Sequence, residues 1–359
     1  MNRQQQPNDS GICVSHGDYF TAVQNFLKQD RSEIIIRAVA QHMHREITCE
    51  EIEEIRIFLE KHGEFYHPAR IETMLHETAI PFVLNVAISD AGKSYIQREY
   101  DFLKQFDEDF PYSFLPKVYG QGCVSIASNE FRMFLGEWFQ GYNEFHISFD
   151  PKDEKHKIVV WDHEHGNYFL TADQATNLYQ QVARILTCYY NVETFEQISS
   201  WHHAAGDFVL KCRNDKIDVK LITVRHYRPM FENNGINKGP DMELILEALL
   251  VFFLNLTIRM RLDRLDGVGE IMWSDDTSIG GILKGFFESL ALKPPNISFP
   301  GSLIDCFRNH LLSCSQSDLF GLSQAMVDAY NPQSAEIPAI KKNLKRHVKI
   351  LYDAIKTIS

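Results

Sequence analysis

His202, His203 and Asp207 stand close together in Trp201-His202-His203-Ala204-Ala205-Gly206-Asp207-Phe208-Val209-Leu210. Histidine is the usual general base near neutral pH, and an aspartate beside it could hold a cation. Polar residues of this kind are costly choices for a plain turn. Two readings are open. His202 and Asp207 form a working site, or both histidines are hydrogen-bonded residues that stabilise the loop. The apolar run from Phe208 to Lys211 reads as a strand leaving the loop, and Ile217 to Val224 as a second strand after the turn at Arg213-Asn214-Asp215-Lys216.

Other polar groups carry less chemistry. Asp162-His163-Glu164-His165 has metal-ligand residue types, but Gly166-Asn167 follows at once. The segment reads as an exposed turn between strands at Ile158–Trp161 and Tyr168–Leu170. His42 and His44 are two apart and fall on different faces of a helix, so they are not a ligand pair. Lys93 reads as a solvated surface lysine, and Arg225 as a partner in a salt bridge.

The elements that must position these residues divide into three stretches. Residues 1–65 read as a helical extension. Thr48-Cys49-Glu50-Glu51 has the form of a capping box, Ile52, Ile55 and Leu59 follow at helical spacing, and Gly63 is a natural stop. From 66 to 140 the pattern changes. The β-rich run Ile80–Ala87 has Ile71–Thr78 as a hairpin partner, Ser94–Phe106 is helical, and Leu115–Gly120 and Phe131–Trp138 are further strands. From 141 to 359 helices dominate. Thr171–Tyr190 carries an apolar stripe, Asp241–Leu265 is apolar nearly all round at its centre, and Ile337–Ile358 is a basic amphipathic terminal helix.

In this order the chain resembles the aminoglycoside phosphotransferase and choline-kinase branch of the protein-kinase-like fold, over roughly residues 65 to 350. That family's catalytic loop, His-Gly-Asp-Leu-His-Pro-Gly-Asn, is matched by Ser200 to Asp207. His202 takes the slot of the catalytic Asp, and Asp207 that of the metal-binding Asn. The lysine of a Val-Leu-Lys-Val strand is matched by Asn85 in Val83-Leu84-Asn85-Val86. The helix glutamate is matched by Glu99 in Arg98-Glu99-Tyr100, and the adenine-binding hinge strand by Phe134 to Phe139, with Glu137 and Trp138. The metal-ligand Asp of Leu-Ile-Asp-Phe is matched by Thr223 in Leu221-Ile222-Thr223-Val224. No Gly-x-Gly-x-x-Gly lies between 62 and 82, where Gly63 is the only glycine.

The resemblance implies an α+β, two-lobed kinase-like fold with a small β-rich lobe, a larger helical lobe carrying 200–224, and the cleft between the lobes as the site. It implies ATP and Mg²⁺ as cofactors, a small-molecule ligand or nucleotide as partner, and phosphoryl transfer as the reaction. The altered slots bear on that reaction directly. Phosphoryl transfer depends on cations that neutralise phosphate charge, and Mg²⁺ favours anionic oxygen ligands that a Thr hydroxyl does not supply. Two functions therefore stay open: a divergent phosphotransferase using His202 and Asp207, and a pseudokinase-like binding or scaffold protein.

Composition narrows the partners. With 48 Asp and Glu against 36 Lys and Arg, the 359 residues carry a formal charge of −12. No Lys or Arg run stands out, which argues against nucleic acid and anionic membrane. The 44% hydrophobic content is enough for a large core. Seven scattered cysteines without a C-x-x-C read as reduced thiols, and a cytoplasmic protein is expected.

Overall fold

The computed structural model describes residues 14–60, 66–199, 201, 206–214, 216–231, 240–293 and 301–357. The chain divides into two compact units. The first holds residues up to Gln140 together with Thr223–Arg225, and the second holds Gly141–Ile222 and His226 onward.

The first unit is an antiparallel sheet covered by helices. Helices α1 (His16–Lys28) and α2 (Glu33–Met43) precede strands β1 (Ile52–Leu59), β2 (Ala69–Leu75) and β3 (Thr78–Ala87). Helix α3 (Asp90–Asp109) then leads to β4 (Val118–Ile126) and β5 (Asn129–Glu137), and the sheet order is β1-β2-β3-β5-β4. Pro81 lies in β3 just before the first β3–β5 pair, Phe82 with Glu137, where that side of the strand is still open. Ser15 and Asp18 form the capping box that starts α1, and Ser89 caps α3 through the Gly92 amide.

The helical reading is wrong over Ile52–Leu59. Thr48 and Glu51 do form the reciprocal cap, but it closes only a 3-10 turn at Cys49–Glu51. Beyond it the chain extends as β1, whose inner side chains Ile55, Ile57 and Leu59 alternate with exposed Arg56 and Phe58. A two-residue period thus prevails over the helical spacing of Ile52, Ile55 and Leu59, aided by three β-branched isoleucines that suit a pleated surface. Ile57 pairs with Ile71 and Ile55 with Thr73. Helices α1 and α2 are likewise no appendage. Val23, Phe26, Ile35 and Val39 share one buried cluster with Ile71, Phe82, Leu84 and Leu135 of the sheet.

The second unit begins with the sheet β6 (Phe145–Asp150), β7 (Lys155–Val160) and β8 (Tyr168–Phe169), followed by α4 (Ala172–Cys188). Strand β9 (Glu196–Ser199) pairs with β12 (His226–Pro229), and β10 (Phe208–Arg213) forms a hairpin with β11 (Lys216–Leu221). Helix α5 (Met242–Arg259) is buried nearly all round. A short hairpin of β13 (Leu262–Arg264) and β14 (Ile271–Trp273) leads to α6 (Thr277–Leu290), α7 (Leu303–Ser313), α8 (Gln316–Asp328) and α9 (Ile337–Ile355). Among the described residues no helix is long and apolar enough to cross a membrane. Cys49, Cys123, Cys188, Cys212, Cys306 and Cys314 are all free thiols.

Two buried polar knots hold this unit together. Asp263 accepts from the Ile147 amide at 2.6 Å and pairs with His146 Nδ1 at 3.2 Å, both side chains almost fully buried. Arg261 donates to the Ser274 carbonyl at 2.5 Å and to Asp276 at 2.8 Å, beneath Trp273 and beside His347. Burial and the nearby Arg261 charge hold the His347 ring at about 3, so it sits neutral in the core.

Helices α4 and α6 run in the same direction in close contact. Thr176, Gln180 and Arg184 meet Gly281, Gly285 and Ser289 in the same order. A Cβ on Gly285 would stand 1.9 Å from the Gln180 carbonyl oxygen, whereas one on Gly280 would meet nothing within 4 Å. Helix propensity alone favours alanine by about 1 kcal/mol at either position. Gly280→Ala should therefore stabilise the protein by up to about 1 kcal/mol. Gly285→Ala should destabilise it by about 2 kcal/mol or more, because the helices must part. Urea unfolding of the two variants tests the close approach, and equal shifts would disprove it.

Candidate functional site

The helix glutamate and the altered metal-ligand slot meet in the first unit. Glu99 lies on the inner face of α3 and is 1% exposed. Its Oε1 accepts the Thr223 hydroxyl in a short hydrogen bond and the Val224 amide at 3.0 Å. The Tyr66 hydroxyl stands close to the same carboxyl, although neither it nor Oε2 is aligned in a hydrogen bond among the described residues. Arg225 adds a favourable charge nearby. Glu99 does not engage its neighbour Arg98. Arg98 bonds instead to Ser94, and Glu99 turns inward.

This is an acid held by neutral donors. Burial pushes the Glu99 carboxyl above its usual 4.5, and the Thr223 hydroxyl, Tyr66 and the Val224 amide offset only part of the rise. Burial likewise pushes the Tyr66 phenol up, with the adjacent Glu99 reinforcing the shift, so Tyr66 keeps its proton. The Thr223 hydroxyl has its hydrogen directed into Glu99, which fixes the backbone from 223 to 224 against α3.

The remaining first-unit candidates are held by the sheet. Asn85 is half-buried on β3 opposite Phe134, and its amide has no hydrogen bond among the described residues. Glu137 accepts the Lys117 amide at 3.2 Å through its side chain, while its own amide donates to the Lys117 carbonyl at 2.8 Å. Trp138 follows at the strand end, with the Arg70 guanidinium 5.9 Å from its ring centre. Lys93 pairs with Asp90 in the first turn of α3, and only 18% of its side chain is exposed, so it is less solvated than expected.

Asp207 belongs to the second unit. It is 2% exposed at the entry to β10, and its carbonyl accepts the Ile222 amide at 2.8 Å. Gly206 before it has φ +71, and a Cβ there would press on the Glu144 carboxylate at 3.1 Å. His202 and His203 lie outside the described residues. The turn at 162–165 is as expected. Asp162 accepts the Glu164 and His165 amides, each at 2.9 Å, and Glu164 and His165 are exposed. Among the described residues no group of three or more His, Cys, Asp or Glu side chains could hold a metal ion.

The residues present at the matched first-unit slots do not fit a magnesium nucleotide. Position 223 offers a hydroxyl already donated to Glu99 in place of an anionic oxygen, and position 85 a neutral amide in place of an ammonium. Tyr66 and Val224, which complete the Glu99 site, were not legible in the sequence. Tyr66 sits in no periodic run, and the Val224 contribution is a backbone amide. No family model matches the chain, and no curated protein is significantly similar to it.

The raised pKa of Glu99 has a testable sign. Below pH 4.5 both folded and unfolded chains carry the Glu99 proton. Above it the unfolded chain ionises first, so this group's contribution to stability falls until the folded carboxyl also titrates. Glu99→Gln keeps an acceptor for Thr223 and Val224 but cannot titrate. The stability difference between variant and native protein should therefore move in the variant's favour as pH rises, by up to roughly 1.4 kcal/mol per unit within that window. Urea melts from pH 4 to 8 measure it, and a pH-independent difference would sink the assignment.

Proposed function

We propose that this protein is a divergent, catalytically silent member of the kinase-like fold that works by binding a ligand or partner, without phosphoryl transfer. The observation that carries this reading is the engagement of Glu99 with the Thr223 hydroxyl and the Val224 amide. In the resemblance these two slots would serve cations, Glu99 by orienting a lysine and position 223 by ligating Mg²⁺. Here they serve each other, and the lysine slot holds Asn85. Without those charges the phosphates of a nucleotide would lose the stabilisation on which the reaction depends.

The fold assignment within this proposal draws support from connectivity. Three strands, a helix bearing the buried glutamate, and two more strands form one antiparallel sheet in the order β1-β2-β3-β5-β4. The β10–β11 hairpin follows Asp207 and ends directly before Ile222 and Thr223, as the family's loop, strand and metal-ligand segment would.

Thermal stabilisation by ATP, ADP and GTP, each with and without Mg²⁺ or Mn²⁺, tests the proposal. A nucleotide at about 100 times its dissociation constant adds roughly 2.7 kcal/mol of stability, a readily visible shift in melting temperature. The expected result is no metal-dependent shift with any of the three. A shift that requires the metal would overturn the proposal in favour of a phosphotransferase with His202 as base and Asp207 on the cation.

A further inference from the structure

Helix α9 carries the main concentration of positive charge on an acidic chain. Between Lys341 and Lys349 it presents Lys341, Lys342, Lys345, Arg346 and Lys349, all exposed, with no acid among them. At 100° per residue these five fall on one continuous face, opposite the buried stripe of Ile340, Leu344, His347, Val348 and Leu351. Two of the charges have partners, Lys341 with Asp328 at 3.3 Å and Arg346 with Asp276 at 2.6 Å. Lys342, Lys345 and Lys349 make no ion pair among the described residues, and Asp353, one turn further on, is the next exposed acid on the helix.

A recess of about 300 Å³ opens beside this face, lined by Gln316, Ser317 and Phe320 of α8 and by Lys345 of α9. The half-buried Phe320 gives it an apolar wall, and Lys345 belongs both to its lining and to the basic face. Asp318, the acid nearest the recess in sequence, is engaged in its own helix cap with the Ser315 amide at 2.9 Å.

We infer that the exposed face of α9, together with the recess beside Phe320, docks an acidic peptide segment that carries one apolar side chain. The carboxylates would lie along Lys342, Lys345, Arg346 and Lys349, which repeat at the i, i+3, i+4, i+7 spacing that a chain crossing one helix face can follow. The apolar side chain would fill the recess and fix the register. Charge complementarity selects the partner, since a chain of net −12 with one basic face attracts anions there and repels them elsewhere. The narrowness of the face favours a peptide over a membrane. A bilayer presents negative charge across a plane and would also meet the acidic surroundings, whereas a peptide touches only the α9 face and the recess beside it.

Fluorescence anisotropy with a labelled peptide of glutamates flanking a single leucine tests this on the full chain. The native protein should bind it with an affinity that falls steeply as salt is added. The Lys342→Glu/Lys345→Glu/Lys349→Glu variant should bind at least about tenfold more weakly while its unfolding midpoint stays near the native value. A peptide with glycine in place of leucine should also bind more weakly to the native protein. The salt titration and the glycine peptide both use native protein, so they decide the matter even if the variant folds poorly. Equal binding of the two peptides, salt-independent binding, or a folded variant that binds as the native protein does would overturn the inference. Tighter binding to phosphatidylserine vesicles or to a single-stranded oligonucleotide than to the peptide would overturn it in favour of that partner.

Discussion

A single buried carboxyl organises the centre of the first unit. Glu99 has been taken out of water on the inner face of α3, and a carboxylate there is tolerable only if donors meet it. The donors come from Thr223 and Val224, more than a hundred residues further along the chain, and the hydroxyl of Tyr66, which precedes β2, stands close by. A backbone segment remote in sequence is thus held to one helix by the solvation needs of one side chain. Removing a donor would leave the acid unsatisfied, at a cost of about 1–3 kcal/mol for each lost bond. The constraint also limits chemistry, because donors engaged in satisfying Glu99 are not available to a phosphate.

Much of the scaffold was legible because short-range pattern and long-range packing agree. The β2–β3 hairpin, α3, β5, α4, the β10–β11 hairpin and α9 all appear close to where apolar period and turn residues placed them, whereas β4 runs over Val118–Ile126 against the expected Leu115–Gly120. β1 was misread because two local signals conflicted. The Thr48–Glu51 cap is real, but only the cross-strand partners Ile71 and Thr73 favour the extended form after it. The Glu99 site was only half legible. The residue types at 99 and 223 could be read by resemblance, but not their mutual bond, since no local spacing links positions 124 apart. The buried pair of His146 and Asp263 escaped for the same reason, its members being 117 residues apart.

The second unit adds close helix contact to its buried hydrogen bonds. Gly281 and Gly285 let α6 lie directly on the backbone of α4, and the flanking bonds of Glu288 to Gln180 and of Ser289 to the Arg184 carbonyl set the register. The nearly all-apolar α5 and the inner face of α9 complete the apolar surroundings. The outer face of α9 is strongly charged, so the helix is at once a core element and a display surface.

The placement of β1 at the end of the sheet order also bears on how copies of this chain behave in concentrated solution. β1 pairs only with β2 among the described strands, so one row of its peptide groups is left without a strand neighbour. Such a border invites a second molecule to extend the sheet, and the usual result is precipitation or fibre growth. Here Glu53, Glu54 and Arg56 project from the exposed positions of the strand, and a bulge between Ile52 and Glu54 breaks its regularity. Two such borders brought together would crowd like charges and mismatched backbones. The strand that the helical cap disguises in the sequence therefore carries its own safeguard against self-association.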